Sequence, residues 1–153
     1  MHRLELKIPP PLVGLAVALL MWAAARMLPG LDFDLPARRA LALFAATLAL
    51  AVDVAALWRF VRVRTTVNPL RPEQTSTLVT DGVYAVTRNP MYLGMALWLV
   101  AWGLWLANAA SMASIAVFVL WIDRLQIRPE ERALAARYGE AFEQYRTRVR
   151  RWV

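Results

Sequence analysis

The sequence predicts an all-α fold, a polytopic membrane protein with about four transmembrane helices followed by a C-terminal amphipathic helix. Three observations predict it. Hydrophobic residues make up 59% of the 153, and the mean hydropathy of +0.42 is too high for an ordinary soluble protein. Four apolar runs, near residues 12–28, 40–60, 90–106 and 111–127, each approach the length that crosses a hydrocarbon layer. Outside these runs lie most of the 18 Lys and Arg residues, which outnumber 11 acidic ones for a net charge of +7. Such a balance suits nucleic acid or an anionic membrane surface, and the apolar runs decide for the membrane. The absence of cysteine excludes disulfides and thiolate metal sites, and no metal-ligand pattern is present.

We expect a single membrane domain over residues 1–153, with residues 1–61 as a two-helix anchor and residues 62–153 carrying the site. The first run, Leu12 to Leu28, follows Pro9-Pro10-Pro11. Its charged start and Ala23-Ala24-Ala25 imitate a cleavable signal, but the run continues apolar past the triplet except at Arg26, so it reads as a retained helix. A mixed-charge loop with Pro29-Gly30, Asp32 and Asp34 leads to the second run, Ala40 to Phe60. Asp53 lies well inside it. A carboxylate there needs a partner or a water-filled cavity, and two roles fit: pairing with an Arg of a neighbouring helix, or lining an acceptor pocket. Residues 61–87 form the longest polar segment, and loops this long are usually functional or disordered. The third and fourth runs, Pro90 to Leu106 and about Ser111 to Ile127, are joined only by Ala107-Asn108-Ala109-Ala110, which demands an antiparallel hairpin. Trp98, Trp102 and Trp105 share one face of the third run, a pattern of packing or interfacial anchoring.

In the tail, Arg128-Pro129-Glu130-Glu131 is a helix opening, with acidic side chains where they complement the helix dipole. Leu134, Tyr138, Phe142, Tyr145 and Val149 then recur at spacings of three and four, interrupted by Gly139. The stripe should lie against the membrane surface or the bundle. Arg146, Arg148, Arg150 and Arg151 either hold anionic headgroups or mark topology. The basic residues of the N-terminal tail, the 61–87 loop and the C-terminal tail place both termini and the long loop in the cytoplasm, with Arg38-Arg39 as the exception.

The organising stretch is Thr80-Asp81-Gly82-Val83-Tyr84-Ala85-Val86-Thr87-Arg88-Asn89-Pro90-Met91-Tyr92-Leu93-Gly94, a polar turn that runs directly into the third helix. Asn89 as N-cap and Pro90 at the first helical position make a strong start, since Asn can accept from a free N–H and Pro has none to lose. Arg88 beside that start gives a site suited to a carboxylate or phosphate. The fourth helix returns Glu130 to the same membrane face.

The run D-G-x-Y-x-x-x-R-N-P-M-Y-x-G resembles the R-H-P-x-Y-x-G segment of the isoprenylcysteine carboxyl methyltransferase and phospholipid methyltransferase superfamily, integral membrane proteins that use S-adenosylmethionine. The resemblance extends through Glu130-Glu131 to Tyr145-Arg146-Thr147-Arg148-Val149-Arg150-Arg151-Trp152. Asn89 stands where many relatives carry His, and Arg150 where a Pro often precedes the last Arg-Trp. The resemblance implies a methyltransferase with a cytoplasmic cofactor site formed by Arg88, Asn89, Pro90, Tyr92, Gly94, Glu130 and Glu131. Arg88 and Tyr92 would serve the reaction, Arg88 facing the cofactor carboxylate and Tyr92 its sulfonium. One acidic residue would accept from the ribose hydroxyls, as in other nucleoside sites. Gly94 would permit close approach of a helix or the ligand. Asp53 and Trp98 are candidates for the acceptor side, and the acceptor would be a membrane lipid or lipidated molecule, a phospholipid amine or an isoprenyl-linked carboxylate. Two other readings stay open: an NADPH-dependent membrane reductase related to sterol reductases, and a non-catalytic scaffold in which both half-sites are only helix caps.

Overall fold

The computed structural model describes residues 5–63 and 77–153, so Arg64, Asn68, Arg71 and Thr75 of the long polar segment lie outside the described residues. Helix α1 spans Pro10–Met27, α2 Arg38–Val63, α3 Pro90–Leu106 and α4 Ala109–Ile122. A π-helical turn at Asp123–Ile127 carries α4 without a break into α5, Arg128–Tyr138, and α6 follows at Glu140–Arg148. Among the described residues there is no strand, only two isolated bridges. Three helical segments are long and apolar enough to cross a membrane: α1, α2 and the continuous rod Ala109–Tyr138, with α3 shorter at 17 residues. The rod is apolar only as far as Ile127. Arg128-Pro129-Glu130-Glu131-Arg132 opens its polar half, so α5 lies outside the span.

Helix α3 is the hub, packed against α1, α2 and α4. Val13, Val17 and Met21 of α1 meet Tyr92 and Leu99 of α3 and Phe118 and Ile122 of α4 in one core. On the other side α2 offers Ala42, Ala45, Ala49 and Ala56, all buried, at spacings that keep them on one face. Small residues let two helices approach closely where lipid gives no hydrophobic drive to hold them together. The opposite face of α2 is exposed through Leu43, Phe44, Leu50 and Trp58, as suits a surface solvated by acyl chains.

Polar atoms fasten both ends. At one end Ala107 takes φ +51 to close α3, Asn108 caps α4 by accepting from the Ser111 N–H at 3.1 Å, and its amide donates to the Leu28 carbonyl and Asp32 carboxylate at 2.9 and 2.8 Å. The α3 to α4 connection is thus even tighter than its four-residue sequence expectation. At the other end Pro129 has no N–H for the carbonyl of Leu125, four residues back, and the Leu6 N–H takes that carbonyl at 3.1 Å. The π turn lies where this proline would otherwise strain the helix, and the N-terminal tail fills the gap. The expected amphipathic tail helix is two helices, because Gly139 sits at φ +50, a region that favours glycine. The stripe stays intact across the break: Leu134, Tyr138, Phe142, Tyr145 and Val149 cluster with Leu78.

Candidate functional site

The loop entering α3 and the end of the chain run side by side. The Arg88 N–H donates to the Arg150 carbonyl at 2.9 Å, while the Thr87 hydroxyl and the Asn89 amide donate to the Arg151 carbonyl at 3.2 and 2.9 Å. Thr87 is fully buried. Tyr145 of α6 donates its hydroxyl to the Tyr84 carbonyl at 2.7 Å, which fixes the turn Gly82–Ala85 against the tail. Asn89 therefore does not do what the sequence suggested. Its side chain makes no cap hydrogen bond to α3; its amide N–H instead donates to the Arg151 carbonyl, which orients the side chain toward the tail, and the helix start relies on Pro90.

Arg88 and Glu131 meet directly. The Arg88 Nη2 lies 2.7 Å from Glu131 Oε1, and its Nη1 donates to the carbonyls of Val149 and Arg146 at 2.5 and 3.1 Å. The other Glu131 oxygen takes Arg151 Nη2 at 2.5 Å, and Arg151 Nη1 reaches Asp123 at 2.8 Å. Charges alternate through this chain, and Arg128 ends it on the second oxygen of Asp123 at 2.9 Å. The guanidinium expected to face a free anion is thus paired with protein groups. Burial alone would raise the Glu131 carboxyl, but hydrogen bonds and charge from Arg151 and Arg88 outweigh it and hold the group below its ordinary range.

Glu130 occupies the opposite electrostatic setting one residue away. Its Oε1 accepts from the Tyr92 hydroxyl and, at 3.3 Å, from the Gln126 amide. Desolvation pushes its carboxyl up to about 8; these two hydrogen bonds oppose the rise and the neighbouring Glu131 charge adds to it. Near neutrality one carboxyl of the pair is charged and bridged, and the other is largely protonated and bound to a phenol. Two adjacent carboxyls held in different states, beside a tyrosine, give the pair both an acceptor and a donor of hydrogen bonds.

The remaining candidates fall on the α2 side of α3. Gly94 is buried, and a methyl group there would overlap the Asp53 carboxylate, so the glycine admits a side chain of the neighbouring helix. Asp53 does not pair with an arginine among the described residues; its Oδ2 accepts from Trp98 Nε1 at 2.9 Å. The tryptophan stripe has three destinations: Trp98 on Asp53, Trp102 donating to the Ala18 carbonyl at 3.1 Å, and Trp105 under the Arg39 guanidinium. Thr87, Asp123, Gln126 and Arg151 join the site although sequence reasoning gave them no role in it. Their one legible signal was Asp123, a charge at the end of an apolar run.

The family model for phospholipid methyltransferase matches residues 37–141, about two-thirds of the chain. The protein is 40% identical over 63 residues, 41% of its length, to an uncharacterized protein of Haemophilus influenzae that the match covers completely. It is 38% identical over 73 residues to the protein-S-isoprenylcysteine O-methyltransferase of Schizosaccharomyces pombe, covering 47% of this chain and 30% of that one. With the human protein-S-isoprenylcysteine O-methyltransferase it shares 37% identity over 75 residues, 49% of this chain and 26% of the relative. The matches to these named relatives thus span less than half of their length. No solved structure matches the chain. Because the family match takes in α2 to α5 and the loop entering α3, the segments that carry Asp53, Arg88–Gly94 and Glu130–Glu131, the chain belongs to the phospholipid methyltransferase family.

Proposed function

We propose that this protein is an integral membrane methyltransferase that takes its methyl group from S-adenosylmethionine and passes it to a lipophilic acceptor, with the donor site on the cytoplasmic face. The observation that carries the reading is the joining of the two half-sites: α3 brings Arg88 and Tyr92, and α5 brings Glu131 and Glu130, to one end of the bundle. Family membership and the names of its relatives point the same way.

The residues fit the donor by chemistry. The free oxygen of Glu130 can hydrogen-bond a ribose hydroxyl, the Tyr92 ring and oxygen suit a sulfonium, and the α3 start, which lacks a side-chain cap, offers N–H groups to a carboxylate. Arg88 would reach that carboxylate by giving up part of its contact to Glu131, which keeps Arg151 as counter-ion. Bound S-adenosylmethionine would supply an electrophilic methyl group. The protein's own contribution is alignment and exclusion of water, which methyl transfer needs more than strong acid or base. The exposed apolar surface of α2 would let the acceptor approach laterally from the bilayer, and its tail should then add about 0.8 kcal/mol for each methylene buried.

Calorimetry of the purified full chain with S-adenosylhomocysteine, S-adenosylmethionine and NADPH tests the reading. Micromolar to submillimolar binding of the first two, roughly −5 to −8 kcal/mol, is expected. Binding of NADPH alone would favour the reductase, and binding of none would leave a scaffold.

A further inference from the structure

The end of the bundle opposite Arg88 and Glu131 carries basic residues that the donor site does not use. Arg26 lies in the last turn of α1, and Arg38 and Arg39 open α2. All three are exposed. Two of them rest on tryptophan: the Arg26 guanidinium lies over the Trp22 ring at 5.5 Å from its centre, and that of Arg39 over Trp105 at 6.0 Å. A guanidinium stacked in this way keeps its N–H edge free for an oxyanion. Among the described residues none of the three arginines forms an ion pair. Of the two carboxylates in the segment between α1 and α2, Asp32 accepts from the Asn108 amide at 2.8 Å, and Asp34 is exposed.

Below these cations α1 and α3 border an open groove of about 380 Å³, almost wholly apolar, lined by Leu15, Ala18, Leu19, Trp22 and Trp102. Its floor is fixed, because Trp102 donates to the Ala18 carbonyl at 3.1 Å. From Leu15 to Trp22 the helix rises about 10 Å, roughly two-thirds of the hydrocarbon depth of one leaflet. Arg26 stands one turn above Trp22, and Trp105 stands one turn above Trp102 on the same face of α3, so both stacked cations lie on the headgroup side of the groove. Helices α1 and α2, which carry them, each pack on α3 and make little contact with one another.

We infer that the groove and its two stacked arginines form a binding site for an anionic phospholipid, which lays one acyl chain in the groove and its phosphate against Arg26 and Arg39. An apolar channel with free cations at its headgroup end matches the two halves of such a molecule. Charge selects the head, since a zwitterionic lipid brings a cation of its own to the arginines. The site is separated from the donor end by the length of α3, about 25 Å. The bound lipid is therefore not the methyl acceptor; it braces α1 and α2 across α3. It also gives a role to Arg38-Arg39, the exception in the charge pattern of the sequence. The inference does not depend on methyl transfer.

The test is photo-cross-linking of the full chain in detergent with a phosphatidylglycerol that carries a diazirine in one acyl chain, mapped by mass spectrometry. Label should concentrate between Leu15 and Trp22 and at Trp102. Unlabelled phosphatidylglycerol should compete, and phosphatidylcholine should compete at least about fivefold less well, the discrimination expected of an interfacial arginine. Replacing both Arg26→Gln and Arg39→Gln should lower labelling of the groove by at least about fivefold while labelling of other helices stays level. Should that double variant fail to fold, the single variants carry the test, and unchanged labelling in both would overturn the inference. Label spread evenly over the lipid-facing helices, equal competition by phosphatidylcholine, or groove labelling that survives the double substitution would overturn it as well. Soluble glycerol phosphate should not compete; if it did, the site would be one for a free phosphate ester and the lipid would be struck.

Discussion

Replacing Glu131 by Gln removes one charge from the centre of a chain that ties α3, α5 and the end of the protein together. The Glu131 side chain is 11% exposed and its Arg88 partner 9%, so neither is screened by water as a surface pair would be, whereas Arg151 is 31% exposed. Removing one partner of a buried pair costs about 3–5 kcal/mol, and the exposed arm contributes only a fraction of that. Arg88 keeps its two carbonyls and Arg151 keeps Asp123, so we expect a loss of about 2–3 kcal/mol. Equilibrium unfolding in a fixed detergent mixture should show it, with a double-mutant cycle against Arg151→Gln reporting positive coupling. Backbone amides of residues 149–151 should exchange faster in the variant. The two arginines on Glu131 make a drop in stability the expected result. A stability change under about 0.5 kcal/mol with additive double mutants would refute the bridging role.

Three further outcomes follow from the same geometry. Glu130, with its carboxyl raised from 4.5 to about 8, binds a proton in the folded state that the unfolded chain has lost, so stability should fall between about pH 4.5 and 8, by at most about 5 kcal/mol, and Glu130→Gln should flatten that slope. Glu131, held low, contributes in the opposite sense, stabilising above its unfolded value and losing that as acid titrates it, so the effects of the two Gln variants should appear on opposite sides of about pH 4.5, Glu130→Gln above it and Glu131→Gln below it. Gly94→Ala should cost about 1–3 kcal/mol by thermal or denaturant unfolding because the added methyl meets Asp53, while Gly14→Ala, whose nearest neighbour is a Phe118 carbon at 3.9 Å, should cost little. Reporter fusions at residue 35, residue 75 and the C-terminus should read outside, inside and inside.

The helices were legible because hydropathy and proline placement act locally. Residues 90–106 coincide with α3 at both ends, since Pro90 can only start the helix and the Ala107-Asn108 turn can only end it. The tail stripe was legible for the same reason, as was its interruption at Gly139. What stayed hidden depends on pairs far apart in the chain: Thr87 finds Arg151 across 64 residues, and Arg88 finds Glu131 across 43. A basic tail reads as topology marking until the backbone shows that one arginine turns inward and its neighbour outward. The register of Gln126 and Glu130 depends on a π turn that periodicity of 3.6 does not anticipate. Asn89 illustrates the limit at a single residue: its capping preference is real, but a hydrogen bond from its amide to a carbonyl near the far end of the chain turns the side chain to the tail, and no cap to α3 forms.

Methyl transfer from the joined Tyr92 and Glu130 site to a lipid is measured most directly by incubating the purified protein in lipid nanodiscs with S-adenosylmethionine labelled on the methyl group. We expect label in the chloroform-extractable fraction, a rate that rises with acceptor chain length, and at least a tenfold loss in both Tyr92→Phe and Arg88→Lys, the latter because a point charge cannot replace a guanidinium fork. Label confined to water-soluble products, or a lipid-labelling rate that neither substitution changes, would contradict it.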